Sequence, residues 1–519
     1  MSDAHIFVTL GDITHIECDA WMLPSDSSYS IQPAWRMAVP ELSDDLIARS
    51  KVEAFSAGTT KATPVVGWPT TSPLPVLTAV PSRGLRTASD LAELGEAAKQ
   101  FVSVASRTTH GHARRQRSKR LFAMPAFGTE GGGGALKKGE ILKVLLGEAQ
   151  AAAGENDVDV VLVLRDERTF ALAQQLRKNS KGLWSMLTPT QQETAERLAG
   201  IARSGKLVPF MGAGVSVSAG GPTWPKLIAK LAAEIGMDDA QIESLISSGR
   251  SALDQAAYLR ELYRRKDGDT EAFGRAVAGA VNLDRYGLAP ALLASLRTEQ
   301  AITLNYDTLF ETASEDVNDA RTVIPADGSP SGRSDKWLLK LHGSVRKPET
   351  IVLTRDDYLG YSANREALSA IVKANLITHH LLFVGFGLTD DHFHQIIHDV
   401  RRAIPVPDGN KLGTALTMRP DKLDEALWEE QLELVVMGST GDLPNASRQL
   451  EIFLDALLAH ATESHSYLLD DNFASSLTAP QDQLRRKLLH FKDALDDQDK
   501  SDASWPVIER LFRDLGGSN

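Results

Sequence analysis

Four short apolar segments of the sequence each end in residues that could bind a charged ligand or accept a proton. These residues are Gly212 and Gly214 after LVPFM, Asn305 and Asp307 after AITL, His342 and Gly343 after WLLKL, and Gly385, Gly387 and Asp390 after LLFV. Glycine lets a backbone approach a ligand closely, while amide, carboxylate and imidazole groups orient a hydroxyl or a water and take its proton. Since open α/β sheets bind ligands at the carboxyl ends of their strands, the sequence predicts one convergent site that holds a nucleotide.

The turn at Gly212 differs from two common nucleotide-binding turns. The dehydrogenase turn has a third glycine where Val217 stands, and an acidic residue at the end of the next strand, about 20 residues later. Glu234 has that spacing but lies in the helical pattern WPKLIAKLAAEIG. A P-loop is excluded because no Gly-Lys-Ser/Thr follows. A hydride-transferring enzyme is therefore disfavoured, and a tight turn without a ligand stays open as an alternative for Gly-x-Gly alone.

Alternating strand and helix patterns predict the elements that position these residues. The alternation runs over residues 1–178 and again over 188–460, and it indicates α/β folds with mainly parallel sheets. Residues 461–519 are polar, with leucines at helical spacing. We therefore predict two Rossmann-like, parallel-sheet α/β domains followed by a short helical C-terminal tail.

The composition is that of a globular protein and excludes several kinds of site. The chain has 519 residues, of which 42% are hydrophobic and 24% charged, and its formal net charge is -12. The negative charge argues against general binding to nucleic acid or anionic lipid. The single cysteine, Cys18, excludes an internal disulfide and a zinc site of several thiolates. The first residues, MSDAHIFVTLGDI, have no signal-peptide pattern and no apolar run is long enough for a membrane span, so we expect a cytoplasmic protein.

Five motifs between residues 188 and 460 resemble, in their order, the sirtuin-like superfamily. They are Gly-Ala-Gly-x-Ser, Pro-Thr-Trp, Asn-Tyr-Asp, Leu-His-Gly-Ser and Gly-Phe-Gly. The resemblance is closest to the bacterial anti-phage defence branch, which includes the NAD-cleaving subunits of Thoeris-type systems. It implies a Rossmann-like domain that binds NAD as its substrate.

Motif position implies a role for each matching residue. Asn305 and His342 would be catalytic. The residues that would contact NAD are Gly212, Ala213, Gly214, Ser216, Thr223, Trp224, Asp307, Gly343, Gly385, Gly387 and Asp390. Two departures separate the chain from protein-deacylating sirtuins, which resemble one another in a four-cysteine zinc module and in a glutamine where Leu304 stands here. Both departures disfavour peptide deacylation and neither affects NAD cleavage.

The resemblance and the residues together predict an NAD+ glycohydrolase. Loss of nicotinamide leaves an oxocarbenium-like ribose, Asn305 can orient a water or the ribose hydroxyls, and His342 can act as the general base. Water is the expected acceptor and ADP-ribose the expected product, with cyclic ADP-ribose left open. The alternatives are protein ADP-ribosylation or deacylation with the same cofactor, and a non-catalytic NAD or ADP-ribose module that regulates a partner.

The resemblance also implies regulation. Proteins of this kind deplete cellular NAD during phage infection and are silent otherwise, so we expect a trigger. The trigger would be an NAD-derived nucleotide, a phage component or a partner protein. A homo-oligomer is expected as well.

The first region resembles the macro domains that bind ADP-ribose. The resemblance rests on GDITHIECDAWMLPSD and on PAFGTEGGGGALKKGE. It implies that Asp12 contacts adenine and that a loop with Gly128, Gly131, Gly132 and Gly133 wraps a diphosphate. PSDSSYS replaces the family's Asn-rich turn. The region is therefore predicted to be either a sensor of an NAD-derived nucleotide or a degenerate macro fold used in assembly.

Two polar segments receive no functional role. Residues 107–120 carry six Lys or Arg and no acid, and we interpret them as a solvated connection and not as a nucleic-acid site. DDHFHQIIH contains His392, His394 and His398. Because each helical residue turns by about 100°, His392 and His394 would point about 200° apart. We therefore expect no metal site.

Overall fold

The apolar runs of the sequence form two separate sheets in the computed structural model, which describes residues 3–517 except for 82–84, 86, 112, 130–136, 181, 327–333, 389 and 404–410. The chain divides into two units. The first unit is Met1–Thr188 together with Asp455–Asn519, and the second unit is Pro189–Leu454. Each unit contains one of the sheets. The prediction of two α/β folds built on mainly parallel sheets is thus confirmed.

The first unit has a six-stranded sheet. Its strands are β1 (Ile6–Leu10), β2 (Ala20–Ser25), β3 (Ala62–Pro64), β4 (Leu74–Ala79), β5 (Leu121–Pro125) and β6 (Asp159–Leu164). Their order is β1-β6-β5-β2-β4-β3, and every neighbouring pair is parallel except β3 with β4. The helices before residue 188 are α1 (Pro33–Ala38), α2 (Asp44–Arg49), α3 (Glu53–Ser56), α4 (Ala88–Thr108), α5 (Lys138–Asn156) and α6 (Glu167–Lys178).

The second unit has a seven-stranded, all-parallel sheet. Its strands are β7 (Leu207–Met211), β8 (Gln300–Thr303), β9 (Thr322–Ile324), β10 (Trp337–Lys340), β11 (His380–Val384), β12 (Gly413–Thr417) and β13 (Leu432–Val436). Their order is β13-β12-β11-β7-β8-β10-β9. β7 is buried along its whole length because it lies between β8 and β11.

Twelve helices begin in the second unit or cross its end, among the residues that the structure describes. They are α7 (Pro189–Arg203), α8 (Trp224–Glu234), α9 (Asp239–Ile246), α10 (Ala252–Asp267), α11 (Ala272–Val281), α12 (Leu288–Ser295), α13 (Leu309–Asp316), α14 (Arg355–Leu359), α15 (Tyr361–Thr378), α16 (Asp391–Ala403), α17 (Lys422–Trp428) and α18 (Leu443–Ala461). Three more follow in the first unit, α19 (Ala479–Asp493), α20 (Asp497–Lys500) and α21 (Trp505–Asp514). No helix in the described parts of the chain is both long and apolar enough to cross a membrane.

The C-terminal segment groups with the first unit, which differs from the separate tail predicted over 461–519. Asp455, in the last part of α18, is fully buried and accepts hydrogen bonds from His5 Nε2 and from Trp184 Nε1, each at 2.9 Å. Arg177 on α6 forms an ion pair with the same carboxylate. The sequence did not indicate this grouping, because Asp455 precedes the polar helices α19 to α21 that were predicted to form the tail.

The order of strands in the second unit places a crevice at the end of β7. The chain leaves β7 for β8 on one side, and β11 later joins on the other side. Ligands bind at such switch points in open α/β sheets, outside the carboxyl ends of the strands. Phe210 on β7 lies 5.1 Å from Phe383 and 5.8 Å from Phe393, between ring centroids, and so forms an apolar floor behind the crevice.

Candidate functional site

The Gly212 turn packs directly against the loop that follows β11. The amide of Gly212 donates to Val384 O at 3.0 Å, and the amide of Gly214 donates to Gly385 O at 2.8 Å. A Cβ on Gly212 would lie 2.6 Å from Gly385 O, and one on Gly214 would lie 2.6 Å from Gly385 Cα. Gly385 itself has φ +60°. The glycines are therefore required by the contact between the two loops, independently of any ligand.

The helix expected after this turn is a 3-10 helix over Ala213–Ala219, and α8 starts only at Trp224. Thr223 is the residue before α8, and the Trp224 ring packs on the apolar cluster of α8, α10 and α11. The structure therefore places Thr223 and Trp224 at the start of a helix in the same unit as the Gly212 turn.

Asn305 connects the end of β8 to the Gly212 turn. Its side-chain Nδ2 donates to Gly212 O at 3.1 Å and to Ser216 Oγ at 3.1 Å. Ser216 Oγ in turn donates to Asp307 Oδ2 at 2.8 Å. Asn305 is 8% exposed and Ser216 is 4% exposed, so these two polar side chains are shielded from water, whereas Asp307 is half-buried. Four of the predicted site residues are thus brought together in one hydrogen-bonded network.

A buried ion pair contacts the backbone of the Asn-Tyr-Asp turn. Lys340 Nζ lies 2.7 Å from Glu311 Oε1, and it also donates to the backbone carbonyls of Tyr306 and Asp307. Lys340 is 1% exposed and Glu311 4% exposed. Burial raises the pKa of Glu311, against the opposing effect of Lys340. Sequence reasoning missed this pair, although a lysine within the apolar run WLLKL was a signal of a buried partner.

His342 follows β10, beside the end of β8. Lys340 and Thr303 are paired in the register of these strands, and Val345 N donates to Tyr306 O at 2.9 Å. Gly343 has φ +93°, and a Cβ there would collide with the Thr350 carbonyl oxygen. The structure therefore places the predicted histidine and the Asn-Tyr-Asp turn on neighbouring strand ends.

Two residues at the start of α16 face the imidazole of His342. Its Nε2 lies 3.5 Å from Nδ1 of His392 and 3.9 Å from Oδ2 of Asp390. Tyr358 stacks on the His392 ring at 4.2 Å, and the Tyr361 ring lies 3.8 Å from the same ring on centroid distances. Of these neighbours, only Asp390 was predicted, because sequence patterns do not show which strand a helix start faces.

Burial controls the protonation of this group of side chains. Burial is the main cause of a His342 pKa of about 4; Asp390 opposes this lowering, and His392 and Arg365 contribute to it. Burial also lowers the pKa of His392, and it raises the pKa of Tyr361 to about 12. His342 is therefore a neutral imidazole at pH 7, with one nitrogen lone pair available to accept a proton.

Two cavities of the second unit differ in size and place. One of about 10 Å³ lies between Ser216, Asn305 and Asp307, and it is far too small for a nucleotide. The other, of about 770 Å³, lies beside β13 and includes Arg197 and Arg419 in its lining. None of the predicted NAD-contacting residues lines this larger cavity. Because the convergent strand ends carry the chemistry, we take the small cavity as the one that belongs to the site.

The predicted site of the first unit is described only in part. The Asp12 carboxylate accepts from Thr14 N at 2.9 Å and from Thr14 Oγ at 2.7 Å, and it pairs with Arg165. Gly128 has φ +79°, and a Cβ there would lie 3.0 Å from Leu94 Cδ1. Both residues follow strands of the sheet at its carboxyl edge. The predicted loop residues Gly131, Gly132 and Gly133 lie outside the described residues.

Three of the basic residues of segment 107–120 form ion pairs within the first unit. Arg114 and Arg115 contact Glu17 at 2.9 and 3.1 Å. Lys119 lies 2.6 Å from Asp3. These pairs favour the interpretation of the segment as a connection.

A comparison with known protein families matches part of the second unit. Residues 299–437, from β8 to β13, match the family model of the SIR2-like domain. This part of the second unit is therefore similar to the SIR2-like domain. The match includes Asn305, His342 and Asp390, whereas the Gly212 turn precedes it.

Three relatives are similar in sequence to part of this chain. Defense-associated sirtuin 2 of Bacillus subtilis is 29% identical over 228 residues, which are 43% of this chain and 22% of that protein. NAD(+) hydrolase ThsA of Bacillus cereus is 31% identical over 197 residues, 37% of this chain and 40% of that protein. ThsA of Enterococcus faecium is 28% identical over 216 residues, 40% of this chain and 42% of that protein. The chain therefore spans less than half the length of these relatives, and the resemblance to sirtuin-like defence proteins is confirmed at that extent.

Proposed function

We propose that the protein is an NAD+ glycohydrolase. The observation that carries the proposal is the hydrogen-bonded network in the crevice of the SIR2-like domain, in which Asn305 connects the Gly212 turn, Ser216 and Asp307. His342, a neutral imidazole, lies on the neighbouring strand end. The names of the ThsA relatives support the same reaction.

The proposed reaction breaks the bond between C1′ of the nicotinamide ribose and the nicotinamide nitrogen. The bonding electrons leave with nicotinamide and neutralise its positive ring. A water oxygen then bonds to C1′, and His342 accepts the proton that this water loses. Because burial keeps the pKa of His342 near 4, the base is unprotonated at neutral pH. The side-chain Nδ2 of Asn305 already donates to Gly212 and Ser216. The side-chain oxygen Oδ1 is therefore the atom that can accept a hydrogen bond from the water or from a ribose hydroxyl.

The remaining contacts to NAD are proposed by motif position. Asp307 and Ser216 would face the nicotinamide ribose, and the Gly212 turn with Gly385 and Gly387 would lie along the rest of the dinucleotide. Gly343, Thr223, Trp224 and Asp390 would complete the contacts. NAD is then the substrate, and no metal cofactor takes part in the step itself.

We further propose that this activity is switched on during bacterial defence against phage, where it would deplete NAD in the cytoplasm. The relatives' names support the setting. The small cavity beside Asn305 supports a requirement for opening, because 10 Å³ admits no nucleotide. The trigger would be an NAD-derived nucleotide, a phage component or a partner protein. The macro-like first unit would sense the nucleotide or mediate a homo-oligomer.

The test is to incubate the full chain with NAD and to follow nicotinamide and ADP-ribose by chromatography. We expect turnover that Asn305→Ala and His342→Ala abolish and that His398→Ala, on the exposed face of α16, retains. Label transferred to an added protein would instead favour ADP-ribosylation. NAD binding without turnover under every trigger tested would favour the regulatory module.

A further inference from the structure

We propose that His342, His392 and Asp390 form a binding site for a divalent transition-metal cation of the zinc class, and that the bound cation keeps the enzyme inactive. The three side chains each offer one ligand atom, and these atoms all lie within 4.8 Å of one another. The binding site stands on this geometry alone, whereas the inhibition rests on the proposed NAD hydrolysis.

The two distances from His342 suit a small cation after slight contraction. His342 Nε2 and His392 Nδ1 are 3.5 Å apart, and His342 Nε2 and Asp390 Oδ2 are 3.9 Å apart. With bonds of about 2.1 Å, the ligand atoms of a tetrahedral zinc ion are separated by about 3.4 Å. Two imidazole nitrogens and one carboxylate oxygen favour zinc and its neighbours over magnesium and calcium, which prefer oxygen ligands only.

The groups around these ligands already orient their lone pairs. His392 Nε2 lies 3.3 Å from the carbonyl oxygen of Tyr358, so this nitrogen carries the hydrogen and Nδ1 presents its lone pair towards His342. Asp390 is fixed by the Tyr358 hydroxyl, which donates to Oδ2 at 2.9 Å, and by Phe393 N, which donates to Oδ1 at 3.0 Å. Metal-binding histidines donate their second ring hydrogen to a carbonyl or carboxylate in just this manner.

Occupation of the site would remove the base. A neutral imidazole has one N–H and one lone pair. If a cation takes the lone pair of His342 Nε2, the hydrogen moves to Nδ1 and neither nitrogen can accept a proton from water. The sequence pattern did not predict this site. The spacing of His392, His394 and His398 concerns a single helix, whereas the ligand His342 comes from the end of β10.

The test measures metal binding before any activity. The full chain is stripped with a chelator and titrated with Co²⁺, whose visible absorption reports coordination by nitrogen and oxygen, and Zn²⁺ is then added as a competitor. We expect one equivalent of Co²⁺ to bind and Zn²⁺ to displace it. His392→Ala and Asp390→Asn should each weaken binding by about tenfold or more, while His398→Ala, which removes an exposed histidine of α16, should leave it unchanged.

NAD turnover is measured in the same samples. We expect Zn²⁺ to inhibit the original chain, a chelator to restore its activity, and the His392→Ala variant to need more Zn²⁺ for the same inhibition. Absence of one-equivalent Co²⁺ binding, or binding unchanged in both ligand variants that keep their thermal melting transitions, overturns the site. Stimulation by Zn²⁺ overturns the inhibition. Specific Co²⁺ binding without NAD turnover under any condition keeps the site and removes the proposed hydrolase, so the two failures are distinct.

Discussion

The side-chain amide of Asn305 donates a hydrogen bond to the carbonyl oxygen of Gly212 at 3.1 Å. The residue proposed to orient the reacting water is therefore also the residue that fixes the Gly212 turn to β8. A substitution there has two consequences, one for the chemistry and one for the shape of the site, and the two need separate measurements.

Asn305→Asp tests both consequences. The aspartate cannot donate to Gly212 O or Ser216 Oγ, and it adds a negative charge near Asp307. We expect loss of detectable NAD turnover and a decrease in the free energy of unfolding of about 1–3 kcal/mol, the range for a buried hydrogen-bonding group left without its partner. Chromatography of NAD and urea denaturation measure the two effects. Asn282→Asp, at an exposed position after α11, should change neither quantity.

Lys340→Met tests the ion pair under the Asn-Tyr-Asp turn. The variant leaves the Glu311 carboxylate buried without its cation, and removal of one partner of a buried pair costs about 3–5 kcal/mol. We expect a loss of this size in urea denaturation and part of it to return in the double variant with Glu311→Gln. Arg264→Met, which breaks an exposed pair with Glu261, is the control and should leave the free energy of unfolding nearly unchanged. Equal losses in the two single variants would contradict the role of Lys340.

Gly385→Ala tests the packing of the two loops. Gly385 has φ +60°, and its Cβ would lie 2.5 Å from Val215 N, so the loop must move away from the Gly212 turn. We expect destabilisation by about 1–3 kcal/mol from the backbone conformation, together with a large loss of NAD turnover. Gly279→Ala, in α11 with open space around the new methyl group, should instead stabilise the unit by about 0.5–1 kcal/mol. A Gly385→Ala variant with normal stability and turnover would show that the loops adapt.

Acidification should destabilise the second unit through His380. Burial, and then Arg197, lower the pKa of His380 to about 4, and its Nε2 lies 2.9 Å from Thr414 Oγ. The folded pKa is below the unfolded value of about 6.5, so the unfolded chain binds the proton more tightly. The stability is complete above pH 6.5 and decreases as the pH falls towards 4.

Urea denaturation at pH 7.5 and pH 5 measures this dependence. His380→Gln should reduce the difference between the two pH values without removing it, since the lowered pKa of His342 acts in the same direction. An equally large difference in the variant would exclude His380 as a contributor.

Local sequence patterns were enough to predict the strand ends of the site. They could not predict contacts between residues that are distant in sequence. An apolar run followed by a glycine, amide or imidazole indicates both the strand and its end, which is why Gly212, Asn305 and His342 were found. The sequence does not state that β11 lies beside β7, so the packing of Gly385 on the Gly212 turn was not foreseen. His392 was judged against residues of its own helix for the same reason.

The grouping of residues 455–519 with the first unit has a consequence for synthesis of the chain. When a ribosome has added residue 454, every residue of the second unit exists, but the first unit still lacks Asp455 and the segment after it. His5 and Trp184 then have no carboxylate to bind. The second unit, although it comes later in sequence than residues 1–188, can therefore complete its folding first, since domains fold as units during translation.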